Sequence, residues 1–237
     1  KVATVFNADA NFGIFARDVE IARKLVELKR EHGYPKVFES NYAKNTVKHL
    51  RQIIEILADG DIVSTGTLSL QSVDPGTLET IQRSNIKVEK YDDLAAEFNK
   101  RGLPLAIELM MGLPGSTMAS YLSDLQLCID REVKARVYPT EVLMNSPMND
   151  PHYRAEHQIS TLRPVNHDWS ESDQTRKKAL VVSTTTFSRE EYDRMERIRV
   201  ALMLFENFAV GRQISRFVRK ETGMREVDLY VRLVEEA

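Results

Sequence analysis

The sequence predicts an α/β protein built on parallel strands, with a helical region at its C-terminal end. Three observations carry this. Apolar β-prone runs alternate with helical periodicities at spacings of roughly 30 residues, the signature of βα units. The run Leu103–Met111 is apolar almost throughout, as a parallel strand covered on both faces should be. Beyond Met148 the composition turns polar, and from Ser188 onward only helical patterns remain.

Lys1–Phe6 reads KVATVF, and Val2–Phe6 is the first strand candidate. Asp18–His32 follows with Ile21, Ala22, Leu25 and Leu28 on one face. Gly33 is the expected stop, with Pro35 just beyond it. Lys36–Ser40 is the second strand. Thr46 is positioned to cap a helix carrying Val47, Leu50, Ile53, Ile54 and Leu57, which ends at Asp59-Gly60. Asp61–Leu70 holds the third strand, and its polar content suits side chains that line a wet cavity. Asp74-Pro75 opens a short helix, because proline at the first helical position gives up no needed hydrogen bond.

Ile86–Glu89 is a minor strand or a loop. Asp92–Arg101 is a helix with Leu94, Ala95 and Phe98 turned inward. After Leu103–Met111 comes the loop Gly112–Thr117. Then follows the helix Met118–Arg131, with Met118, Tyr121, Leu122, Leu125, Cys128 and Ile129 on one stripe. Arg136–Met144 is the fifth main strand. Asn149–Lys178, with His152, His157, His167 and Trp169, reads as a long excursion or partly ordered linker. Ala179–Thr185 is β-prone. Ser188 with Glu191 forms a capping box for a helix running to about Ala209, interrupted near Gly211 or Gln213. A second amphipathic helix continues to Glu221, and Asp228–Glu236 is a final short one. The expected division is a barrel or sheet part over 1–148 and a polar connector with helices over 149–237. Five βα units fit an open sheet or an incomplete barrel, and in both the active site lies beyond the C-terminal strand ends.

Composition removes several function classes. The 33 Lys+Arg against 35 Asp+Glu give no basic excess, and so no argument for nucleic acid. No apolar run reaches the roughly 18 residues of a membrane span. The opening residues have neither a basic n-region nor an apolar core, so no signal peptide is expected, and a chain that opens in mid-strand reads as an excised piece. One cysteine, Cys128, makes no intrachain disulfide and points to a reducing, cytoplasmic setting. The histidines at 152, 157 and 167 match no metal spacing, so no metal ligands are assigned.

The residues that follow the strands are small side chains, amides and carboxylates, which suit a neutral, hydroxyl-rich ligand such as a nucleoside. They are Asn7–Gly13, Glu39-Ser40-Asn41, Ser69-Leu70-Gln71-Ser72, Glu108 within the fourth strand, Gly112–Thr117, and Asn145–Met148. Each has a plainer reading. Asp9 or Asn11 could cap the next helix, Gln71-Ser72 could be turn chemistry, and Gly112–Thr117 could be a tight turn. That loop lacks the lysine and spacing of a Walker A motif. On the stripe of its helix, Cys128 reads as a core residue.

Four segments taken in order resemble the radical SAM superfamily, in its cobalamin-associated branch. NADANFGIFARDVEIARKL is similar to that family's second strand and helix, and LSLQSVDPGTLETIQR to its fourth strand. ELMMGLPGSTMASYLSDL resembles its fifth strand and turn, and VYPTEVLMNSPMNDPHY its sixth strand. The resemblance implies a partial (β/α)6 TIM-like barrel covering the second to sixth strands. It implies S-adenosylmethionine and a [4Fe–4S] cluster as cofactors, radical chemistry through a 5′-deoxyadenosyl species, and a cobalamin domain in the intact protein. By the same resemblance Asp9 and Asn11 approach the methionine end of the cofactor. Ser40 and Asn41 approach its carboxylate or sulfonium, and Gln71 and Ser72 meet ribose or substrate. Gly112, Leu113 and Gly115 form the turn near adenine, and Leu143 and Asn145 the sixth-strand adenine contact. Catalytic residues and the small-molecule substrate stay unassigned.

The family's CxxxCxxC loop is absent from these residues, and Cys128 alone cannot ligate a cluster, so this chain is expected to be inactive by itself. Ser116 stands where relatives commonly carry Glu, yet can still cap the following helix. Two other readings stay open. One is a non-catalytic truncated barrel, associating as a homodimer through the exposed edge at Val2–Phe6. The other is an α/β enzyme that binds phosphate or nucleotide at the N-terminus of the Met118 helix.

Overall fold

The computed structural model describes residues 1–43, 49–84, 88–102, 104–162 and 179–236. Thr46, Val47, Ile86, Leu103, His167, Trp169 and the side chain of Leu94 lie outside this description. The chain packs as two compact units. The first comprises Lys1–Gln71, Ser84–Leu109 and Leu127–Arg136, and the second Ser72–Arg83, Met110–Gln126 and Val137–Ala237.

The main sheet has five strands in sequence order: β1 (Thr4–Phe12), β2 (Val37–Tyr42), β3 (Val63–Gln71), β4 (Leu105–Met111) and β5 (Lys134–Pro139). The pairs from β1 to β4 are parallel. A sheet whose parallel strands are wound in one direction by right-handed crossovers collects its helices on one face, as in a barrel wall. The helices between the strands are α1 (Ala16–His32), α2 (Leu50–Asp59), α3 (Pro75–Thr80), α4 (Val88–Lys100) and α5 (Met118–Asp130). The parallel α/β prediction holds.

Glycine identifies the helix-covered face in the first unit. A Cβ on Gly66 would lie 2.8 Å from the Phe98 ring of α4, so this β3 position carries no side chain. Alternation then turns Ser64, Gly66 and Leu68 toward the helices, and Thr67 and Ser69 to the opposite face, where Thr67 is buried and Ser69 half-buried. Phe12, Phe38, Tyr42 and Phe98 form the aromatic core of the helix side, with ring centroids 5.4–6.3 Å apart in successive pairs. The Tyr42 hydroxyl and Ser64 Oγ share a hydrogen bond of 2.5 Å there, and burial pushes the Tyr42 phenol up to about 12. Leu50, Ile53, Ile54 and Leu57 are the buried stripe of α2.

Local signals set several helix ends. Gly33, in the left-handed region at φ 77°, closes α1 by donating to the Lys29 carbonyl. Asp74 accepts from Thr77 N at 2.7 Å to start α3. The cap of α1 differs from expectation. Neither Asp9 nor Asn11 caps it; Asp18 does, its Oδ2 accepting from Gly13 N at 2.9 Å and Phe15 N at 3.0 Å.

The second unit carries a three-stranded sheet ordered β6 (Glu141–Val142), β8 (Ala179–Ser183), β7 (Ser160–Leu162), with antiparallel pairs. The single strand expected over Arg136–Met144 is thus divided. At Thr140 the backbone N donates to the Met111 carbonyl while the carbonyl accepts from Val181 N, so the chain changes partners there. The connector expected after Asn149 is ordered at its start: α6 (Pro151–Glu156) is capped by Asp150, and β7 follows. The C-terminal helices are α7 (Arg189–Leu202), α8 (Arg212–Thr222) and α9 (Glu226–Glu235). Ser188 and Glu191 form the predicted capping box. The helix continues past Leu202 as a π-helical turn, Met203–Asn207. Met195, Ile198, Leu202, Val227 and Tyr230 are among the buried side chains of this region.

Candidate functional site: the strand ends

The strand-end residues fall in both units, and each group is built from its own neighbours. In the first unit, β1 runs well past the expected Phe6 and takes in Asp9 and Asn11. Asn7 pairs with Ser40 and Phe12 with Tyr42, so five steps along β1 stand against two along β2. This bulge is held by short polar bonds: Asn7 Oδ1 accepts from Asp9 N at 3.3 Å, and Asp9 Oδ1 from Asn11 N at 2.9 Å.

Ser40 and Asn41 point to opposite sides. Ser40 is paired in register with Gly66, is 2% exposed, and accepts at Oγ from Asn7 Nδ2 at 3.1 Å. Asn41 is paired with Thr67 and shares its face. On β3, Gln71 adopts φ 68°, where the register with β4 slips between Ser69 and Gln71. Ser69 stands beside Glu108, and its hydroxyl donates to Glu108 Oε2 at 2.5 Å. Pairing these two requires the strand register, which the sequence does not display. The face of the first unit turned away from the helices thus carries Asn41, Thr67, Ser69 and Glu108: an amide, two hydroxyls and one carboxylate. Such a set can accept and donate hydrogen bonds to a polar ligand and offers one negative charge.

In the second unit, Ser72 is buried and donates from Oγ to Asp124 Oδ2 at 2.7 Å. Val73 N donates to the other carboxylate oxygen at 3.1 Å. Asp124 is 5% exposed, and burial pushes its carboxyl up to about 6 against the opposing pull of those two donors. The Asp124 position on α5 was not singled out in the sequence, where it looks like one more polar residue beside an apolar stripe.

The Gly112–Thr117 segment is a tight turn. Gly112 has φ 82°, and its Cβ would meet the Val181 carbonyl at 3.2 Å. Gly115 has φ 84°, and its Cβ would meet Thr80 Oγ1 at 2.5 Å. Leu113 and Pro114 are buried between them. Thr117, not Ser116, caps α5: its Oγ1 accepts from Ser120 N at 3.1 Å, and its own N donates to Ser120 Oγ at 2.9 Å. The buried Ser116 instead offers its carbonyl to Thr186 Oγ1 at 2.6 Å. Because side chains already occupy these helix-start donors, the turn is a poor phosphate cradle.

Leu143 and Asn145 do not lie on a strand. Both follow β6 in an exposed turn closed by Ser146 N donating to the Leu143 carbonyl at 3.1 Å. Cys128 is fully buried on α5, as its stripe predicted. Among the described residues no group of three or more His, Cys, Asp and Glu could hold a metal ion, and no helix is long and apolar enough to cross a membrane.

No protein-family model matches the chain. Two characterised proteins align with nearly all of it. One is 2-(S-pantetheinyl)-carbapenam-3-carboxylate methyltransferase of Streptantibioticus cattleyicolor, at 30% identity over 98% of this chain and 35% of the relative. The other is the cobalamin-dependent radical SAM methyltransferase TokK of Streptomyces tokunonensis, at 30% identity over 97% of this chain and 34% of the relative. The chain therefore spans about a third of the length of these relatives. Among solved structures, the radical S-adenosylmethionine methyltransferase TsrM from Kitasatospora setae is similar in two forms. With cobalamin and a [4Fe–4S] cluster bound, it gives a TM-score of 0.53 at 16% identity, over 81% of this chain and 35% of that one. With tryptophan substrate and the SAM analogue aza-SAM bound, it gives 0.58 at 14% identity, over 83% and 42%. These likenesses bear out the radical SAM resemblance and the barrel-type fold.

Proposed function

We propose that this chain is the S-adenosylmethionine-binding barrel portion of a cobalamin-dependent radical SAM methyltransferase. The observation that carries the reading is alignment of nearly the whole chain with two relatives, one of them a named cobalamin-dependent radical SAM methyltransferase. The order of its parallel strands and the polar face of the first unit support it.

When bound, S-adenosylmethionine supplies a transferable methyl group or a 5′-deoxyadenosyl group. The protein residues present are suited to holding it rather than to activating it. The proposed contacts in the first unit are Asp9, Asn11, Ser40, Asn41 and Gln71. Asn41 is the best placed of them, because it is half-buried on the polar face turned away from the helices. In the second unit they are Ser72, Gly112, Leu113, Gly115, Leu143 and Asn145. The backbone around Gly112 and Gly115 is well suited, since those glycines keep the turn tight. A [4Fe–4S] cluster does not fit these residues. It is held by several thiolates, and the one cysteine of the chain is fully buried. The cluster ligands, cobalamin and the methyl acceptor are proposed for the larger protein, with the acceptor a small molecule.

Calorimetric titration of the 237-residue protein with S-adenosylhomocysteine and with ATP tests the reading. Saturable binding of S-adenosylhomocysteine without ATP binding is expected. Binding of ATP alone would revive the phosphate-binding alternative, and binding of neither would favour a non-catalytic association module.

A further inference from the structure

We propose that the outward face of α8 is a docking surface for an apolar stripe with acidic flanks, supplied by the part of the longer protein that lies outside these 237 residues. This goes beyond the functional reading above. It rests on one part of that reading, that the chain is a portion of a larger protein, and not on cofactor binding.

α8 is built inside out. A surface helix ordinarily turns its apolar stripe to the core and its charges to water. In α8, Arg212, Ser215, Arg216 and Arg219 recur at three- and four-residue spacing and so share one face, which is the face turned to the protein. Ser215 is 1% exposed. Arg216 bonds Glu206 at 3.0 Å and Glu226 at 2.8 Å, Arg219 bonds Glu226 at 3.1 Å, and both glutamates are buried. The other face carries Ile214 and Phe217, 62% and 63% exposed. Phe208 and Val210, in the segment leading into the helix, are 64% and 76% exposed, and Leu204 in the π-helical turn is exposed as well. Turning the helix to bury Ile214 and Phe217 would pull the guanidinium groups off two buried carboxylates. The ion pairs therefore hold the apolar face outward.

Two observations name what covers it. The chain aligns over 98% of its length with 35% of one relative, and over 97% with 34% of the other. Most of such a protein lies elsewhere, and its remaining domains need surfaces on this portion to pack against. Exposed large apolar side chains gathered in one region, aromatic ones above all, suit the centre of such a surface. The charges at its margin give the sign of the partner. Arg212, Arg219 and Lys220 reach solvent, the glutamates that pair with the two arginines are buried, and Glu221 is the one exposed acid of α8. A partner in contact therefore meets a cationic margin, which acidic flanks complement. A second α8 would bring the same cationic margin against it, so this face is poorly suited to self-pairing.

The test follows maleimide modification of Ile214→Cys by peptide mapping, in the 237-residue protein and in the intact polypeptide. Cys128, fully buried, reports folding by staying unmodified. Modification at position 214 should be about tenfold or more slower in the intact protein. Lys220→Glu, added to it, should quicken modification of the intact protein about threefold or more by setting like charges against each other, and leave the shorter protein unchanged. The Lys220→Glu comparison lies wholly within the intact protein, so it decides even where the shorter one is unstable. Equal rates in the two proteins, or protection indifferent to Lys220→Glu, overturn the proposal and leave the functional reading standing. Slow modification of the 237-residue protein that quickens on dilution would give the face to a second copy, and protection of it by phosphatidylglycerol vesicles would give it to a lipid surface; either overturns the proposal. A natural reading frame that adds nothing to these residues overturns the proposal and the functional reading together.

Discussion

Asp124 on α5 accepts from Ser72 Oγ at 2.7 Å, and this one bond ties the start of the loop after β3 to a helix 52 residues further along the chain. The same carboxylate takes Val73 N, and Ser72 Oγ in turn accepts from Asp74 N at 3.1 Å. The loop conformation is thus imposed by a buried acid, and its stability should follow that acid's ionisation.

Burial pushes the Asp124 carboxyl from 3.8 up to about 6. The folded protein therefore holds this proton at pH values where the unfolded chain has released it. The corresponding stability is fully present below pH 3.8 and is lost as pH rises through about 6. The difference is on the order of 3 kcal/mol for a shift of this size. Asp124→Asn should flatten that part of the stability–pH curve measured by urea unfolding between pH 4 and 7. Asp124→Ala should cost about 2–4 kcal/mol near pH 4, because it strands the Val73 N–H and the Ser72 hydroxyl, and less as pH rises, because it removes the same titration. If both variants keep the pH dependence of the wild type, Asp124 does not titrate in this window.

Gly115 and Thr80 give a second prediction. A methyl group at Gly115 would sit 2.5 Å from Thr80 Oγ1 and 2.8 Å from Thr80 Cβ, at a backbone φ of 84°. Gly115→Ala should destabilise by about 2–4 kcal/mol, from the clash and the left-handed backbone together. Adding Thr80→Gly should remove the clash and leave a residue of about 1–2 kcal/mol for the backbone alone. Thermal melts of the four proteins of this cycle check it, with Thr80→Gly as its own reference. Additive losses would mean that the two residues do not meet.

The features that could be read from sequence were those fixed by neighbours a few residues apart. The αL stop at Gly33, the Asp74-Pro75 entry and the Ser188–Glu191 box each satisfy their own backbone locally. The βα rhythm was legible for the same reason, since burial of a helix stripe or a parallel strand leaves a period in the chain. Features that depend on register were not. The bulge that carries Asp9 and Asn11 into β1, the inward turn of Ser40 and the meeting of Ser69 with Glu108 are set by which strand lies alongside and in what phase. Choices between competing groups were also hidden. Asp18 took the cap that Asp9 or Asn11 could have supplied, Thr117 took that of Ser116, and the backbone of Thr140 turned from Met111 to Val181 and divided the fifth strand.

Arg216 carries the third prediction. Its guanidinium bonds Glu206 at 3.0 Å and Glu226 at 2.8 Å, and Glu226 is fully buried. Glu206 lies in the π-helical turn and also accepts from the Tyr230 hydroxyl at 2.6 Å. Arg216→Met would remove the guanidinium that the two carboxylates share, leaving Arg219 on Glu226 at 3.1 Å and Arg212 on Glu206 at 3.6 Å. It should cost about 3–5 kcal/mol, the usual result of removing one member of a buried pair. Raising the salt to 1 M should not reproduce the loss in the wild type, because buried pairs are poorly screened. Urea unfolding at low and high salt measures both. Parity of Arg216→Met with the wild type would show that the glutamates are satisfied without it.

The last prediction concerns the free side of β1. This strand is the edge of the five-stranded sheet, and Phe6 within it and Val2 just before it are each 63% exposed. An edge strand presents unpaired N–H and C=O groups, and flanking apolar side chains add area to any pairing along it. Self-association through β1 is therefore expected, with a second copy of the chain as the partner. Phe6→Lys places a charge on that strand beside Glu39, its register partner on β2, so it should shift the protein toward monomer while leaving its melting temperature within a few degrees. Sedimentation velocity across a concentration series decides the point. A wild type that sediments as a monomer throughout, or a Phe6→Lys variant that dimerises as well as the wild type, would remove β1 as the interface.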